Sequence, residues 1–188
     1  SEANFDARMG LMRDLRIDPA PSAGWTADWK IEDRYHLLKR PTDLHLRYVD
    51  LTCGAEAGTA EGWIAAGPIS KPDQDWIPRL VLRRRAAAAP LISTFVGVIH
   101  PYEGQSAIRA VRRLELRGGA GGVYPDSNVA VEVELADGRR DLIVAKDTAD
   151  PLERNAGTGD EIIQADWDFS AAAGDIFWIR KEAGGAVV

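Results

Sequence analysis

The segment "VAVEVELADGRRDLIVAKD", residues 129–147, carries the pattern that most constrains the fold. Apolar residues from Val129 to Leu135 alternate with Glu132 and Glu134, so the two sets face opposite sides of one extended strand. Asp137-Gly138 is a strong signal for a tight turn, and the apolar residues 142–145 begin a return strand. The segment therefore predicts an antiparallel hairpin.

Similar period-two patterns recur along the chain. "DLHLRYVDLT" places His45, Arg47 and Val49 on one strand face, and "WIPRLVLRRR" sets leucines against arginines. "IRAVRRLEL" breaks strict alternation, which predicts a β-bulge. "PLISTFVGVI" is nearly all apolar, as expected of a strand that is covered on both faces.

Short turn signals rich in glycine, proline and aspartate separate these segments, and no long helical period follows residue 24. We therefore predict an all-β domain at residues 25–188, built as an antiparallel sandwich or layered sheet. Residues 1–24 are predicted to form an arm or linker that contains a short helix or is irregular. "DIFWIRKEAGGAVV" predicts a strand, a Gly-Gly turn and the start of a second strand.

Charge and composition narrow the classes of function. The 188 residues carry a net charge of −6, and the segment 126–188 holds fourteen acids against six bases, which argues against nucleic-acid binding. No apolar run approaches the ~18 residues of a membrane-spanning helix. The three histidines have no metal-ligand spacing, so we predict no metal and no cofactor, although "ADWDF" leaves a structural calcium conceivable at Asp166 and Asp168.

His100 and Tyr102 are the candidate catalytic residues. In a continuous strand they would share a face, and a His/Tyr pair can take and return a proton. Pro101 cannot donate to a sheet ladder, so we expect the strand to end there and residues 102–104 to form a turn. This expectation favours a structural role for both residues over catalysis.

Arginine and tryptophan form the other chemical pattern. Eight arginines lie between residues 79 and 117, and guanidinium groups pair well with carboxylate and sulfate. Six tryptophans could stack on sugar rings, although core packing is the more common role of tryptophan. The candidates for glycan contact are Arg79, Arg83, Arg112, Arg113 and Trp76.

Several segments together resemble heparinase II/III-like polysaccharide lyases, a group that includes oligoalginate lyases. They occur in the family's order over roughly residues 25–182: "ADWKIEDRYHLL", "DLHLRYVDLT", "AEGWIAAG", "WIPRLVLRRR", "APLISTFVGVIHPYEG", "IRAVRRLEL" and "DFSAAAGDIFWIRKEAGG". The resemblance covers only the C-terminal β-sheet part of such enzymes. Similar proteins commonly have glycine at the position of His36 and a non-catalytic residue at that of His100.

The resemblance implies a supporting or glycan-contacting role within an enzyme that cleaves uronic-acid polysaccharides by β-elimination. Its partners would be the acidic glycan and an α/α toroid domain of the same enzyme, in the periplasm or outside the cell. No catalytic residue of the family can be assigned to a position here, so the chain alone is expected to be inactive. Two alternatives stay open: a free-standing carbohydrate-binding module, which predicts a row of exposed tryptophans, and a purely structural domain, which predicts buried tryptophans.

Overall fold

The regular secondary structure of the described residues is almost entirely antiparallel β-sheet, which confirms the predicted fold class. The computed structural model describes residues 11–33, 36–40, 42–66, 73–148, 157–159, 161–172 and 174–186. One 3-10 turn, Ala165–Trp167, is the helical segment of these residues. The strands are β1 (Met12–Asp18), β2 (Thr26–Lys30), β3 (Leu44–Asp50), β4 (Glu56–Ala66), β5 (Asp73–Arg83), β6 (Gly97–Glu103), β7 (Ile108–Leu114), β8 (Arg117–Gly118), β9 (Val129–Leu135), β10 (Arg140–Ala145), β11 (Ile162–Gln164), β12 (Phe169–Ala171) and β13 (Ile176–Lys181).

The contacts within the chain group it into two compact units. Unit 1 comprises residues 1–25 and 54–92, and unit 2 comprises residues 26–53 and 93–188. The backbone passes from one unit to the other three times, so neither unit is one continuous stretch of sequence.

Unit 1 contains a three-stranded sheet in the order β1-β4-β5. Strands β4 and β5 pair over their full lengths, and β1 pairs with β4 across a β-bulge near Asp14, whose φ is +53°. This corrects the helix or irregular arm expected at residues 12–18; residues 1–10 lie outside the described residues. The seven residues of β1 carry a weak local pattern, and the long strand β4 supplies the partner that makes them a strand.

Unit 2 is built around a four-stranded sheet in the order β13-β10-β9-β7. Strands β9 and β10 form the predicted hairpin, and Gly138 in its turn has a φ of +87°. The predicted bulge in β7 is also present, as a register shift between Ile108 and Ala110. Two smaller sheets, β2-β3-β6 and β8-β11-β12 (in the spatial order β12-β11-β8), complete the unit.

Two apolar cores cover opposite faces of this central sheet. The first joins Val49 of β3 and Val96 to Val131 and Val133 of β9. The second joins Leu142 and Val144 of β10 to residues around β11, and both side chains are fully buried. Unit 2 is therefore a three-layered sheet structure in which the middle layer is buried on both sides.

One acid lies within the second core. Glu132 of β9 has a side chain that is 4% exposed, and it contacts the guanidinium of Arg112, its register partner on β7. Its other carboxylate oxygen accepts from Trp167 Nε1 at 2.8 Å and lies 3.4 Å from Arg140 NH1. A buried charge with several donors is satisfied, whereas the loss of one partner would be costly.

The segment that contains His100 differs from the prediction in two ways. Residues 90–96 are not a strand, and Leu91, Ile92 and Phe95 are about half exposed. Strand β6 instead begins at Gly97 and continues through Pro101 to Glu103.

Proline fits β6 because of the strand's edge position. Gly104 N donates to Asp43 O, so backbone N–H groups at even positions near this end of β6 point toward β3. Pro101, at an odd position, places its ring nitrogen on the opposite side, where its sheet has no further strand. The expected end of the strand at Pro101 and the expected turn at residues 102–104 were therefore wrong.

Candidate functional site

Five polar side chains meet on one face of the sheet β2-β3-β6, and we call them the Asp28 cluster: Asp28, His45, Arg47, His100 and Tyr102. Register places Asp28 opposite Arg47 and Arg47 opposite His100, and it places His45 opposite Tyr102. The same alternation puts these residues on the face of Val49 and Val98, which pack in the first core. The cluster therefore continues the inner face of the sheet beyond the apolar core.

Asp28 is the common acceptor of the cluster. Its Oδ2 accepts from the Tyr102 hydroxyl at 2.6 Å and from Arg47 Nε at 2.7 Å, and its Oδ1 lies 3.0 Å from His45 Nδ1. An ionised carboxylate only accepts, so His45 Nδ1 carries the proton in this contact. Three donors on two strands thus converge on one carboxylate.

The rings stack across the sheet. Tyr102 lies between the two imidazoles, with ring centroids 5.0 Å from His45 and 5.1 Å from His100. Arg47 places its guanidinium carbon 5.0 Å from the Tyr102 centroid, and its NH2 donates to the Tyr102 hydroxyl at 3.0 Å. These contacts fix the position of the guanidinium.

The hydrogen bonds shift the protonation of the cluster in consistent directions. The Tyr102 hydroxyl, assisted by Arg47 and His45 and opposed by partial burial, lowers the pKa of Asp28 to about 2. The same bond from Tyr102 to Asp28 raises the pKa of Tyr102, and the bond to Asp28 raises that of Arg47. At neutral pH the carboxylate and the guanidinium are charged and the phenol is protonated.

His100 is neutral at neutral pH, and its tautomer can be assigned. Burial lowers the pKa of His100, and the nearby Arg47 charge adds to that effect. Ser106 uses its single proton to donate to Ile108 O at 2.8 Å, so the 3.3 Å contact between Ser106 Oγ and His100 Nδ1 requires a proton on Nδ1. His100 Nε2 therefore carries a lone pair that can accept a hydrogen bond or a proton.

The cluster is better arranged for binding than for proton transfer. The Tyr102 proton is held by Asp28, and the raised pKa of Tyr102 makes the phenol a poor general acid or base. Arg47 uses two of the five N–H groups of a guanidinium, which leaves three without a partner among the described residues. Its side chain is 31% exposed, so an anion can reach it.

The five candidates for glycan contact fall on different strands and in different units. Arg79, Arg83 and Trp76 lie on β5 in unit 1, whereas Arg112 and Arg113 lie on β7 in unit 2. That these side chains contact glycan stays a prediction, because their places on the strands do not test it.

Ion pairs already engage three of those arginines. Arg83 is paired with Glu56, and Arg112 is paired with the buried Glu132. Arg113 is 14% exposed, donates to the backbone carbonyl of Asp126 and forms an ion pair with its carboxylate. Arg79 and Arg112 are the exposed arginines of the set, and Arg112 is paired as described.

The tryptophans do not form an exposed row. All six lie among the described residues, and Trp178 alone is largely exposed, at 56%. Trp167 is buried, and Trp76 is half-buried beside the Arg13 guanidinium, 4.3 Å from its ring centroid. This arrangement is the one expected of packing rather than of a sugar-stacking platform.

The described residues offer no metal centre. No three of their His, Cys, Asp or Glu side chains are placed to hold an ion together. Asp166 lies in the 3-10 turn, and Asp168 ends that turn in the left-handed region with a φ of +50°. These two residues therefore occupy a turn, the alternative to a calcium site.

Sequence reasoning found His100 and Tyr102 but missed Asp28 and the role of Arg47. The signal was present in part, because the alternation of "DLHLRYVDLT" places His45 and Arg47 on one face. Asp28 could have been added only by knowing that β2 pairs with β3 in the register Asp28 to Arg47.

No protein-family model, curated protein sequence or solved structure matches this chain. The part of the chain that the structure describes also contains no helix long and apolar enough to cross a membrane.

Proposed function

We propose that this chain is the β-sheet part of a lyase that acts on uronic-acid polysaccharides, in the periplasm or outside the cell, and that the Asp28 cluster contacts the acidic glycan. The resemblance in sequence supports the enzyme class, and the cluster supports the contact. The observation that carries the proposal is Arg47, which is fixed by Asp28 and Tyr102 yet keeps three N–H groups for a ligand.

The chemistry of the cluster suits a uronate. A carboxylate accepts paired hydrogen bonds from the terminal nitrogens of a guanidinium, and such charge-assisted bonds are the strong ones. His100 Nε2 offers an acceptor for a sugar hydroxyl near that guanidinium, since His100 is the register partner of Arg47. Together these groups would bind one acid and one hydroxyl of a sugar.

Contact without turnover is the expected behaviour of the chain alone. β-Elimination needs a base for the proton next to the carboxylate and an acid for the leaving oxygen. His100 Nε2 could act as the base, but the Tyr102 proton is bound to Asp28, so the cluster has no ready acid. The residues that complete the reaction would come from the toroid domain of the proposed enzyme.

The tryptophans separate the proposal from one alternative. A free-standing module that binds glycan through a row of exposed tryptophans is disfavoured, because Trp178 stands by itself as the exposed indole. The proposed contact depends on Arg47 instead, and this difference can be tested.

The test is binding of alginate, heparan-type and polygalacturonate oligosaccharides by calorimetry, with the absorbance of unsaturated products followed in parallel. We expect binding of at least one acidic oligosaccharide without turnover, and about tenfold weaker binding by Arg47→Gln, the effect of one lost charge-assisted bond. Arg109→Gln is the matched control. Arg109 is an exposed arginine that is paired with Glu134 at 3.2 Å, and it lies on a different sheet from Arg47. Equal affinities of the Arg47 variant and the parent protein would refute the contact, and turnover by the chain alone would refute the non-catalytic role.

A further inference from the structure

A cavity of about 360 Å³ lies in the connection between β2 and β3 in unit 2. Its walls combine basic side chains, Lys39 and Arg40, with the apolar side chains of Ile31 and Leu38, and His36 also lines it. This volume is at the lower end of the range for small-molecule sites. Mixed basic and apolar walls suit a ring that carries an acid.

The loop that forms the cavity is held by Asp33. Its Oδ1 accepts from the backbone N–H of Leu37 at 2.9 Å, and its Oδ2 accepts from that of Leu38 at 2.8 Å. His36, which precedes Leu37, adopts a φ of +53°, a conformation that favours glycine and persists when neighbouring bonds impose it. The hydrogen bonds from Leu37 and Leu38 to Asp33 therefore hold this part of the cavity wall in place.

Two basic side chains, Lys39 and Arg40, line the cavity together with one carboxylate, that of Asp33. The bonds from Leu38 and Leu37 lower the pKa of Asp33, and both of its oxygens are already occupied by backbone donors. Lys39 has no ion-pair partner among the described residues, and Arg40 has a largely exposed pair with Glu103 at 3.3 Å. An exposed pair of this kind is weak, so Arg40 can turn to a ligand at little cost.

The cavity and the Asp28 cluster share the same end of the sheet β2-β3-β6. Arg40 reaches Glu103, which follows Tyr102 but faces the other side of β6. Thr42 lines the cavity, and the next residue, Asp43, lies 3.5 Å from His45 Nε2. A chain of sugars that contacts Arg47 could therefore extend toward Lys39 and Arg40.

We infer that this cavity is a second subsite, which binds the carboxylate-bearing ring of a neighbouring uronate in the same glycan. The inference rests on the proposed function and adds a second anionic contact to it. Lys39 and Arg40 bind the carboxylate, while Ile31 and Leu38 pack against the ring.

The experiment compares binding of acidic hexasaccharides, prepared from the three glycans above, with that of maltohexaose as a neutral oligosaccharide. The variants are the double substitution Lys39→Gln/Arg40→Gln, Arg47→Gln and the control Arg109→Gln. The double variant should bind the acidic hexasaccharide at least tenfold more weakly, as expected for one or more lost charge-assisted bonds, whereas Arg109→Gln should bind like the parent. Unchanged unfolding midpoints would show that the variants keep their fold.

The outcomes separate this inference from the proposed function. Weaker binding by Arg47→Gln together with parental binding by the double variant would overturn the subsite and leave the proposed contact standing. Weaker binding by the double variant with parental binding by Arg47→Gln would support an anion site at the cavity and refute the contact at Arg47. Failure of the parent chain to bind any of the acidic hexasaccharides, or equal binding of maltohexaose, would overturn both.

Discussion

The Asp28 carboxylate makes the charge network of the cluster measurable. Its pKa falls from an ordinary value of 3.8 to about 2, and the largest contribution is the hydrogen bond from Tyr102. A group whose pKa is lower in the folded state stabilises the fold above its unfolded pKa. That stabilisation is lost as the pH falls from about 4 toward 2.

The size of the effect follows from the shift. Since one pKa unit corresponds to 1.36 kcal/mol, the change amounts to about 2.4 kcal/mol at neutral pH. The Asp28 side chain is 28% exposed, and solvent screening lowers the expected contribution to about 1–2 kcal/mol. Replacement of Tyr102 by phenylalanine should raise the pKa of Asp28 toward its ordinary value and remove a large part of this stabilisation.

The assay is an NMR titration of the Asp28 side-chain carboxyl carbon in the parent protein and in Tyr102→Phe. Tyr48→Phe is the matched control, because the Tyr48 hydroxyl donates to Asp50 on the opposite face of β3. We expect a midpoint near 2 in the parent and in the control, and a clearly higher one in Tyr102→Phe. An Asp28 midpoint near 3.8 in the parent, or no change on loss of the Tyr102 hydroxyl, would show that this hydrogen-bond network does not govern the pKa of Asp28.

Two further predictions concern packing. Gly97→Ala should destabilise the fold by about 1–3 kcal/mol in thermal unfolding, because a Cβ there would lie 2.2 Å from the Tyr48 hydroxyl; an unchanged midpoint would contradict the close approach. Trp167→Phe should lower the free energy of unfolding in urea by about 1–3 kcal/mol, because it removes the Nε1 donor to the buried Glu132. Trp178→Phe, at an exposed position, should change it by no more than about 0.5 kcal/mol, and equal effects of the two substitutions would contradict the buried hydrogen bond.

The fold class could be predicted because its signals are local. The hairpin of β9 and β10 needs only alternation and the Asp137-Gly138 turn, and both are visible within nineteen residues of sequence. The bulge in β7 is likewise visible as a break in one pattern. Features of this kind depend on neighbours in the chain, so the sequence carries them directly.

The misplaced elements depend on partners distant in sequence. Strand β1 exists because it pairs with β4, roughly forty to fifty residues away, and Pro101 is tolerated because β6 lies at the edge of its sheet. The apolar run 90–96 gave a false strand signal, since a short apolar run does not reveal whether it is covered. In each case the pairing of strands overrides the local preference.

The candidate site illustrates the same limit most directly. Asp28, Arg47 and Tyr102 come from three strands that span some seventy-five residues, and each strand shows its own alternation. What the sequence lacks is the register, and a slip of one residue in β2 would send Asp28 to the other face of the sheet. The hydrogen bonds that converge on Asp28 form only in the observed strand register. Once formed, they stabilise that register against any other. Within the cluster these bonds occupy every oxygen of Asp28 and the proton of Tyr102, so the terminal nitrogens of Arg47 and Nε2 of His100 are the polar atoms left for a ligand.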